Sequence, residues 1–327
     1  MLPPMAVFFP LFTVFEDLGL LPRAAYVLDK PFQKRGACGK QALTMCMGFG
    51  CSAVGVSGAR IINSPRERLL AVLTNCFVPC NGKFPALVAL ISMFFVTFAP
   101  AASRSAVSAL LLLAMICGGI FLTFLSTRLL SLTLLKGAPS SYFLELPPFR
   151  MPKFGSIILR SLIDRTVFVL GRAAAAAVPA GIVIWCAADI FIGDRSLLAV
   201  CADALAPFAQ LMGLDGVILI SFILGLPANE IVLPVMVMAY SSLGAPPELN
   251  DLPAIKELLV SNGWTAVTAV CAAVFFISHF PCSTTMMTIK KETGSLKWTL
   301  VSAALPTGIG IILCMMISAV SKLFAVL

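Results

Sequence analysis

The sequence predicts an all-α polytopic membrane protein, and its composition, its uncharged runs and its polar breaks support this class. Hydrophobic residues make up 59% of the 327 residues and charged residues only 12%, whereas a soluble domain carries about 25% charged residues. The mean hydropathy is +1.00. Residues 84–103, 105–127 and 298–321 carry no charge, and each run is long enough to cross a bilayer, which takes about 20 apolar residues.

Short polar breaks interrupt four of the apolar runs, and these breaks are the third feature. Break 1 is Gly48–Cys51, break 2 is Pro79–Lys83, break 3 is Leu226–Glu230 and break 4 is Phe280–Thr284. A break in a membrane helix frees backbone groups that lipid cannot hydrogen-bond, so it persists where it lines protein or a watery cavity. Matched breaks in the two halves of a chain indicate the binding site of a transporter.

The charges and motifs argue against several other classes of protein. The net charge of +8 reflects Lys and Arg collecting in cytoplasmic loops, so it does not indicate nucleic-acid binding. The eleven Cys are scattered, unlike the disulfide framework of a secreted domain. No Gly-x4-Gly-Lys-Ser/Thr loop occurs, so we expect no nucleotide-hydrolysing module in this chain. We expect no enzyme activity, because one His and few buried acids offer no acid–base pair. We also expect no cleavable signal peptide.

The loop charges predict which segments cross the membrane. Both loops that flank 41–59 are basic, and both loops that flank 216–240 are acidic. The four loops are 23–40, 60–68, 189–215 and 241–262. Because basic loops lie in the cytoplasm, the two loops of each pair lie on the same side, and the run between them does not cross once. We therefore predict that both runs are re-entrant hairpins; the alternative is a full span with exceptional loops.

With two hairpins, the chain reads as an inverted repeat. Each half runs helix, re-entrant hairpin, broken helix, helix, and the halves have opposite orientation. The predicted segments are 3–21, 41–59, 69–99 and 105–127 in the first half, then 166–189, 216–240, 263–282 and 298–325 in the second. We place the first membrane repeat at 1–135, a cytoplasmic connector at 136–165 and the second repeat at 166–327.

Three cysteines at the breaks are candidate metal ligands. Cys51 and Cys80 lie in breaks 1 and 2, and an inverted repeat would bring them together near the membrane midplane. Cys282 is the repeat partner of Cys80, since Pro-Cys recurs in break 4. Thiolates suit soft and borderline cations such as Fe(II), Zn(II) and Cu(I). The alternative is that all three are packing residues, as most buried cysteines are.

Glu230 is the acidic candidate, because it stands alone in a long uncharged stretch. An intramembrane carboxylate is costly enough to indicate a function. It could ligate a cation, carry a coupling proton or pair with Lys83. Asn75, Asn81 and Asn229 supply amide oxygens that could replace the water around a cation, or could satisfy freed backbone groups instead.

The remaining candidates on the transport path lie in or beside the breaks. His279, the single His, directly precedes break 4. Its neutral imidazole could ligate a metal or relay a proton, or could serve only as a hydrogen-bonding residue. Ser283 and Thr284 belong to break 4, and Gly48 and Gly50 belong to break 1.

Further motifs follow one another along nearly the whole chain. In addition to Gly48–Cys51 and Phe280–Cys282 they are Phe15–Gly19, Pro22–Asp29, Pro65–Leu69, Phe77–Gly82, Glu145–Pro152 and Asn229–Val232. In this order they closely resemble the membrane part of the ferrous iron transport protein B family. Two positions differ from the usual family pattern, since Ser52 stands where the family often has Asn, and Asn229 where it often has Lys.

The resemblance implies uptake of Fe(II) across a bacterial or archaeal plasma (inner) membrane by a multi-pass protein with two gate-type halves. It places the cysteines of the Gly-Phe-Gly-Cys and Pro-Cys motifs on the ion path. Family members usually begin with a GTP-binding domain, so a GTP-binding partner or a small accessory ferrous-transport protein is implied as well.

We expect contact with the lipid bilayer, Fe(II) as the transported ion and no permanently bound cofactor. Among partners, a homo-oligomer is one option, and we expect no nucleic acid. The main alternative is a gate-fold carrier of a small organic solute such as a nucleoside. A membrane scaffold that transports nothing is a third class.

Overall fold

The computed structural model describes residues 10–15, 18–96, 103–137, 195–241 and 251–326, together with residues 7, 100 and several between 171 and 192. These parts are almost entirely helical, apart from a two-residue antiparallel pairing of β1 (Phe191–Ile192) with β2 (Arg195–Ser196). The described helices confirm an all-α polytopic membrane protein. Nearly all of the predicted connector 136–165, the Glu145–Pro152 motif and most of the predicted helix 166–189 lie outside the described residues.

The first part of the chain forms seven described helices. They are α1 (Leu20–Val27), α2 (Asp29–Gln33), α3 (Lys40–Gly50), α4 (Ser52–Gly58), α5 (Pro65–Thr74), α6 (Phe84–Phe94) and α7 (Arg104–Leu132). Short 3-10 turns follow α4 and α5, at Ala59–Ile61 and Asn75–Phe77.

The second part forms seven more. They are α8 (Leu197–Leu211), α9 (Gly216–Leu224), α10 (Val232–Tyr240), α11 (Leu252–Ser261), α12 (Ala266–Ser278), α13 (Ser283–Thr293) and α14 (Leu296–Val326). A 3-10 turn, Asn229–Ile231, precedes α10.

Polar side chains at the helix starts explain several of these boundaries. The side chain of Asp215 accepts a hydrogen bond from the Ile218 backbone N–H at 2.7 Å and caps α9. Thr265 caps α12 in the same way, through the N–H of Thr268. Such caps satisfy one of the N–H groups that the first turn of a helix leaves unpaired.

The chain divides into two compact units, and each takes segments from both sequence halves. Unit 1 comprises the described residues of Met1–Gly82, Gly118–Ala174 and Thr284–Ala304. Unit 2 comprises those of Lys83–Cys117, Ala175–Ser283 and Leu305–Leu327. The predicted repeats 1–135 and 166–327 are defined by sequence symmetry, which the division into compact units does not test. The repeat boundaries and the opposite orientation of the two halves therefore stay predictions.

In unit 1, the predicted hairpin 41–59 folds back on itself. Its two limbs, α3 and α4, meet at break 1 and pack against each other. The Lys40 ammonium at the start of α3 donates a hydrogen bond to the carbonyl of Ile61, just beyond α4, at 3.1 Å. A single membrane crossing would hold these two ends a bilayer apart, so the geometry agrees with a hairpin.

In unit 2, the predicted hairpin 216–240 closes in the same manner. The Tyr240 hydroxyl at the end of α10 donates to the Asp215 carboxylate, which caps the start of α9. The Trp264 indole N–H in turn donates to the Tyr240 hydroxyl at 2.9 Å. Three side chains therefore tie the two ends of the hairpin to the segment that follows it.

Three described helical segments are long and apolar enough to cross a membrane, by length and composition. They are Arg104–Leu132, Ala266–Thr293 and Leu296–Phe324. The first and third confirm the predicted helices 105–127 and 298–325. The second begins where the predicted span 263–282 begins, but it continues through break 4 into α13. The predicted broken helix 69–99 is interrupted as expected, between α5 and α6.

Three of the charged segments that were predicted to be loops contain helices, so the prediction of loops there is wrong. Residues 23–40 include α2 and most of α1, 189–215 include α8, and 241–262 include α11. Charge indicates on which side of a membrane a segment lies, and it does not prevent short amphipathic or capped helices there. The helices α8 and α9 also pass the membrane-length test together, but with a bend of 110° between them.

Candidate functional site

Break 1 in unit 1 separates two helices with one extended residue. Cys51 has φ −155° and ψ 124°, which ends α3 at Gly50 and lets α4 begin at Ser52. The last carbonyls of α3 and the first N–H groups of α4 therefore lack partners within their own helices. Cys51 is half-buried and is not part of a disulfide. The break thus places a thiol beside freed backbone groups, as the sequence predicts.

Asn75 joins the hairpin of unit 1 to the end of α5. It follows α5 directly, and its side-chain amide donates to the Ser52 carbonyl at 3.0 Å. Glycines make room for it on both limbs of the hairpin, since a Cβ on Gly48 or Gly55 would lie 2.8 or 2.7 Å from its nearest amide atom. The amide group is therefore wedged into the hairpin at the level of the break.

Break 2 follows the 3-10 turn Asn75–Phe77, and its residues up to Gly82 belong to unit 1 whereas Lys83 belongs to unit 2. Cys80 is buried and Asn81 is half-buried. The predicted approach of Cys80 to Cys51 near the membrane midplane stays a prediction, although unit 1 contains both residues.

Break 3 in unit 2 repeats the backbone geometry of break 1. Ala228 has φ −153° and ψ 124°, and the 3-10 turn with Asn229 and Glu230 begins directly after it. Ala228 therefore occupies the position in the second hairpin that Cys51 occupies in the first. Glu230 is half-buried.

Breaks 3 and 4 are hydrogen-bonded to each other within unit 2. The backbone N–H of Ser283 donates to the Leu226 carbonyl at 2.7 Å, and the Ser283 hydroxyl donates to the Pro227 carbonyl at 3.3 Å. Cys282 directly precedes Ser283 and is half-buried. Each hairpin is therefore hydrogen-bonded, at or beside its break, to a residue at the end of another helix, which is Asn75 after α5 in unit 1 and Ser283 at the start of α13 in unit 2.

His279 adds a further link between breaks 3 and 4. Its Nδ1 lies 3.1 and 2.9 Å from the carbonyl oxygens of Phe275 and Phe276, so Nδ1 carries the hydrogen. Its Nε2 lies 3.2 Å from the side-chain oxygen of Asn229. The ring is buried and packs on Phe222, with 5.0 Å between ring centroids. These contacts agree with the hydrogen-bonding role that the sequence analysis left open for this residue.

Lys83 is a functional candidate whose place the sequence did not indicate. It is buried, and its ammonium donates to the Ile277 carbonyl at 3.0 Å, near the end of α12. A positive charge is favourable at the C-terminal end of a helix. This contact ties Lys83 to the helix that break 4 interrupts, and a pairing of Lys83 with Glu230 stays one of the predicted roles of Glu230.

The predicted ligands are distributed over both units. Unit 1 contains Cys51, Cys80, Asn81 and Thr284, while unit 2 contains Cys282, Ser283, Asn229 and Glu230. Within the described ranges, no group of three or more His, Cys, Asp or Glu side chains is placed to hold a metal ion. Sequence reasoning also missed Gln41, Asn75 as a wedge and the Asp215–Tyr240–Trp264 contacts. A polar residue opposite paired glycines is the signal that could have found Asn75.

Fold and breaks together define an all-α polytopic membrane protein with paired helix interruptions. The chain belongs to the Gate family, described as nucleoside recognition, whose model matches residues 1–95 and 170–296. A second family model, ferrous iron transport protein B C terminus, matches residues 112–164. These matches confirm the resemblance that the motifs indicate.

Curated relatives agree with this assignment. The chain is 26% identical over 334 residues to the Fe(2+) transporter FeoB of Staphylococcus aureus strain COL, which covers 98% of this chain and 47% of the relative. It is 25% identical to the Fe(2+) transporter FeoB of Methanocaldococcus jannaschii, with the same two coverages. A third relative is the Fe(2+) transport protein A/Fe(2+) transporter FeoB fusion protein of Porphyromonas gingivalis, at 24% identity over 99% of this chain and 42% of the relative.

The chain thus spans about half the length of the curated relatives that it matches. No solved structure matches it.

Proposed function

We propose that this chain forms a path for Fe(II) across the plasma membrane of a bacterium or archaeon. One observation carries the proposal: each closed hairpin is hydrogen-bonded, at or beside its break, to a segment that is itself interrupted, through Asn75 and Ser52 in unit 1 and through Ser283 and Leu226 in unit 2. Interrupted membrane segments of this kind bind ions and solutes in transporters, because their freed backbone groups face a site instead of lipid. The names of the relatives, Fe(2+) transporter FeoB, support Fe(II) as the cargo.

The residues of the breaks supply suitable ligands for this ion. Fe(II) is a borderline cation that accepts thiolate, imidazole and oxygen ligands. We assign the thiols of Cys51, Cys80 and Cys282 as soft ligands, and the Glu230 carboxylate as a ligand or a balancing charge. Because the described residues show no three-residue metal cluster, we propose successive sites of few ligands. Weak, successive sites allow an ion both to enter and to leave.

The other predicted path residues have supporting roles. We assign the Asn81 and Asn229 side chains as oxygen donors that replace water around the ion, and Ser283 and Thr284 as polar lining of break 4. We assign His279 as a residue that positions Asn229, since its Nε2 lies 3.2 Å from the Asn229 side-chain oxygen. The glycines of break 1, Gly48 and Gly50, let other groups approach the backbone closely.

The membrane potential is a sufficient energy source for such a path. An inward-moving divalent cation gains about 4–5 kcal/mol per 100 mV, at about 2.3 kcal/mol per charge. We therefore propose a transporter rather than an enzyme, regulated by a GTP-binding partner. The fusion protein of P. gingivalis supports a small accessory partner related to Fe(2+) transport protein A.

Uptake into proteoliposomes tests this function. The purified chain is reconstituted, an inside-negative potential is imposed, and Fe(II) kept reduced with ascorbate is measured inside the vesicles. We expect uptake that rises with the potential and that Mn(II) or Zn(II) reduces by competition. An absence of potential-driven Fe(II) uptake, with and without the candidate GTP-binding chain, would refute the proposal.

The description of the Gate family favours one alternative, a carrier of a small organic solute such as a nucleoside. The same vesicles distinguish the two functions, since labelled uridine and adenosine can replace Fe(II) in the assay. Nucleoside uptake that is insensitive to Cys51→Ser would support the alternative. Fe(II) uptake without nucleoside uptake would exclude it.

A further inference from the structure

A buried polar face runs along α3 toward break 1. Gln41, Thr44 and Gly48 recur at three- and four-residue spacing, so they lie on one side of the helix. All three are buried in unit 1. Cys51 follows three residues after Gly48, at the break. Gln41 and Thr44 are therefore buried polar residues on the side of α3 that leads to Cys51.

Gln41 leaves one strong acceptor without a donor. It is 1% exposed, and its side-chain N–H groups lie 2.9 Å from the Thr74 hydroxyl and 3.3 Å from the Thr127 hydroxyl. Both hydroxyls donate their own hydrogens backward, to the carbonyls of Leu70 and Thr123. Among the described residues the Gln41 side-chain oxygen has no hydrogen-bond partner.

Asn75 leaves a second acceptor of the same kind. It is also 1% exposed, and its amide N–H donates to the Ser52 carbonyl. Its side-chain oxygen has no partner in the part of the chain that the structure describes. This oxygen lies against Gly48, seven residues along α3 from Gln41, which corresponds to about 10 Å at 1.5 Å per residue.

Two buried amide oxygens without donors require either a hydrogen-bond donor or a cation as their partner. Leaving such atoms unpaired is costly, so the site favours a cation or a water molecule there. Neutral amide oxygens bind a divalent cation more weakly than thiolates or carboxylates do, and weak successive sites are what conduction needs. Oxygen ligands close to a thiol site would therefore receive an ion and release it.

We propose that the side-chain oxygens of Asn75 and Gln41 are successive ligands for Fe(II), on a path that follows this face of α3 from Cys51 to the start of the helix. This inference rests on the proposed function, because it extends the same path. The basic residues around the start of α3 predict that this end faces the cytoplasm, so the path is an exit.

Two variants separate ligation from a merely structural role of Gln41. Gln41→Leu removes both the oxygen and the amide N–H groups, and we expect Fe(II) flux into proteoliposomes to fall about tenfold, the effect of losing one polar contact to the ion. The double variant Thr74→Val/Thr127→Val removes the partners of the amide N–H groups but keeps the oxygen. It is expected to lower thermal stability and to keep flux within about twofold of wild type.

A third variant gives a signature that packing would not produce. Gln41→Glu keeps an oxygen at this position and adds a negative charge, so the KM for Fe(II) should fall while release becomes slower. Gln210→Leu, on the exposed side of α8, is the matched control and should leave flux unchanged. Thermal unfolding in detergent identifies any variant that fails to fold.

The outcomes distinguish this inference from the proposed function. Unchanged flux in Gln41→Leu, together with reduced flux in Cys51→Ser, would refute the inference and keep the function. An equal loss in Gln41→Leu and in the double Thr variant would show a tether between helices and no ligand. An unchanged KM in Gln41→Glu would indicate a bound water at this position and would also refute the inference. No Fe(II) flux in the wild-type chain would remove both.

Discussion

Ser283 donates its backbone hydrogen to the carbonyl of Leu226, and this bond joins two helix breaks that lie more than fifty residues apart in sequence. Both groups belong to the backbone, so substitutions of the side chains leave the bond intact. It therefore makes the joint between breaks 3 and 4 tolerant of changes in residue type, and the proposed path residues Cys282, Asn229 and Glu230 are its neighbours in sequence.

Replacing Ser283 by proline should break this joint selectively. Ser283 is the first residue of α13, where proline fits the helix but has no N–H to donate. We expect Ser283→Pro to destabilise the protein by about 0.5–1.5 kcal/mol, because the Leu226 carbonyl loses its donor. Ser283→Ala keeps the N–H and should cost less. Thermal unfolding in detergent measures both.

The control for this change is Ala266→Pro, at the first position of α12. Ala266 is exposed and capped by Thr265, so proline there should be nearly neutral. Equal destabilisation by both prolines would show that the joint contributes nothing to stability.

Replacing the thiols of the breaks should reduce Fe(II) transport. Cys51→Ser and Cys80→Ser keep the side-chain volume nearly constant but exchange a soft ligand for a hard one. We expect each to lower uptake into proteoliposomes by about tenfold, the effect of about 1.4 kcal/mol. Cys46→Ser and Cys117→Ser are matched controls, because both thiols are exposed on continuous helices. Similar losses at all four positions would indicate packing effects.

Neutralising Glu230 should impair transport without impairing folding. The carboxylate is half-buried, next to the Asn229 amide that contacts His279. We expect Glu230→Gln to lower Fe(II) uptake strongly, since an intramembrane carboxylate is rarely retained without a function. Glu257→Gln, on the exposed side of α11, should have no effect. Normal uptake by Glu230→Gln would remove this residue from the mechanism.

The second hairpin makes a prediction about membrane topology. Because Tyr240 and Asp215 hold its ends together, the segments before and after it should lie on one side of the membrane. Single cysteines introduced as Gln210→Cys and Asn262→Cys in a Cys-free background should both react with an impermeant maleimide added to the same side. Reaction from opposite sides would show that 216–240 crosses.

Gly55→Ala should be among the most disruptive small changes in unit 1. The added Cβ would lie 2.7 Å from the Thr44 carbonyl, a backbone atom, and 2.7 Å from the Asn75 amide nitrogen. Overpacking of this kind costs about 1–3 kcal/mol. Gly118→Ala, in α7, meets nothing within 4 Å and should be neutral or stabilising, since Ala favours helix over Gly. Thermal unfolding compares the two, and equal stability would refute the wedge at break 1.

The sequence predicted the long membrane helices, the four breaks and both hairpins because these depend on local chemistry, whereas it missed α2, α8 and α11 in charged segments. The glycines of break 1 and the proline of break 3 weaken a helix, and uncharged runs of sufficient length form membrane helices. The contacts across the breaks could not be predicted, because they depend on packing of distant segments. Lys83 illustrates this limit: its ammonium donates to the carbonyl of Ile277, which lies 194 residues away in sequence.

The two closing bonds, Lys40 with Ile61 and Tyr240 with Asp215, have a consequence for biosynthesis. A segment that returns to the side from which it entered leaves the number of crossings unchanged, whereas a helix of similar hydrophobicity that passed through would change it from even to odd. A hairpin that failed to close would therefore invert the sidedness of everything translated after it. Lys290 and Lys291 would then lie on the opposite face of the membrane, against the positive-inside preference.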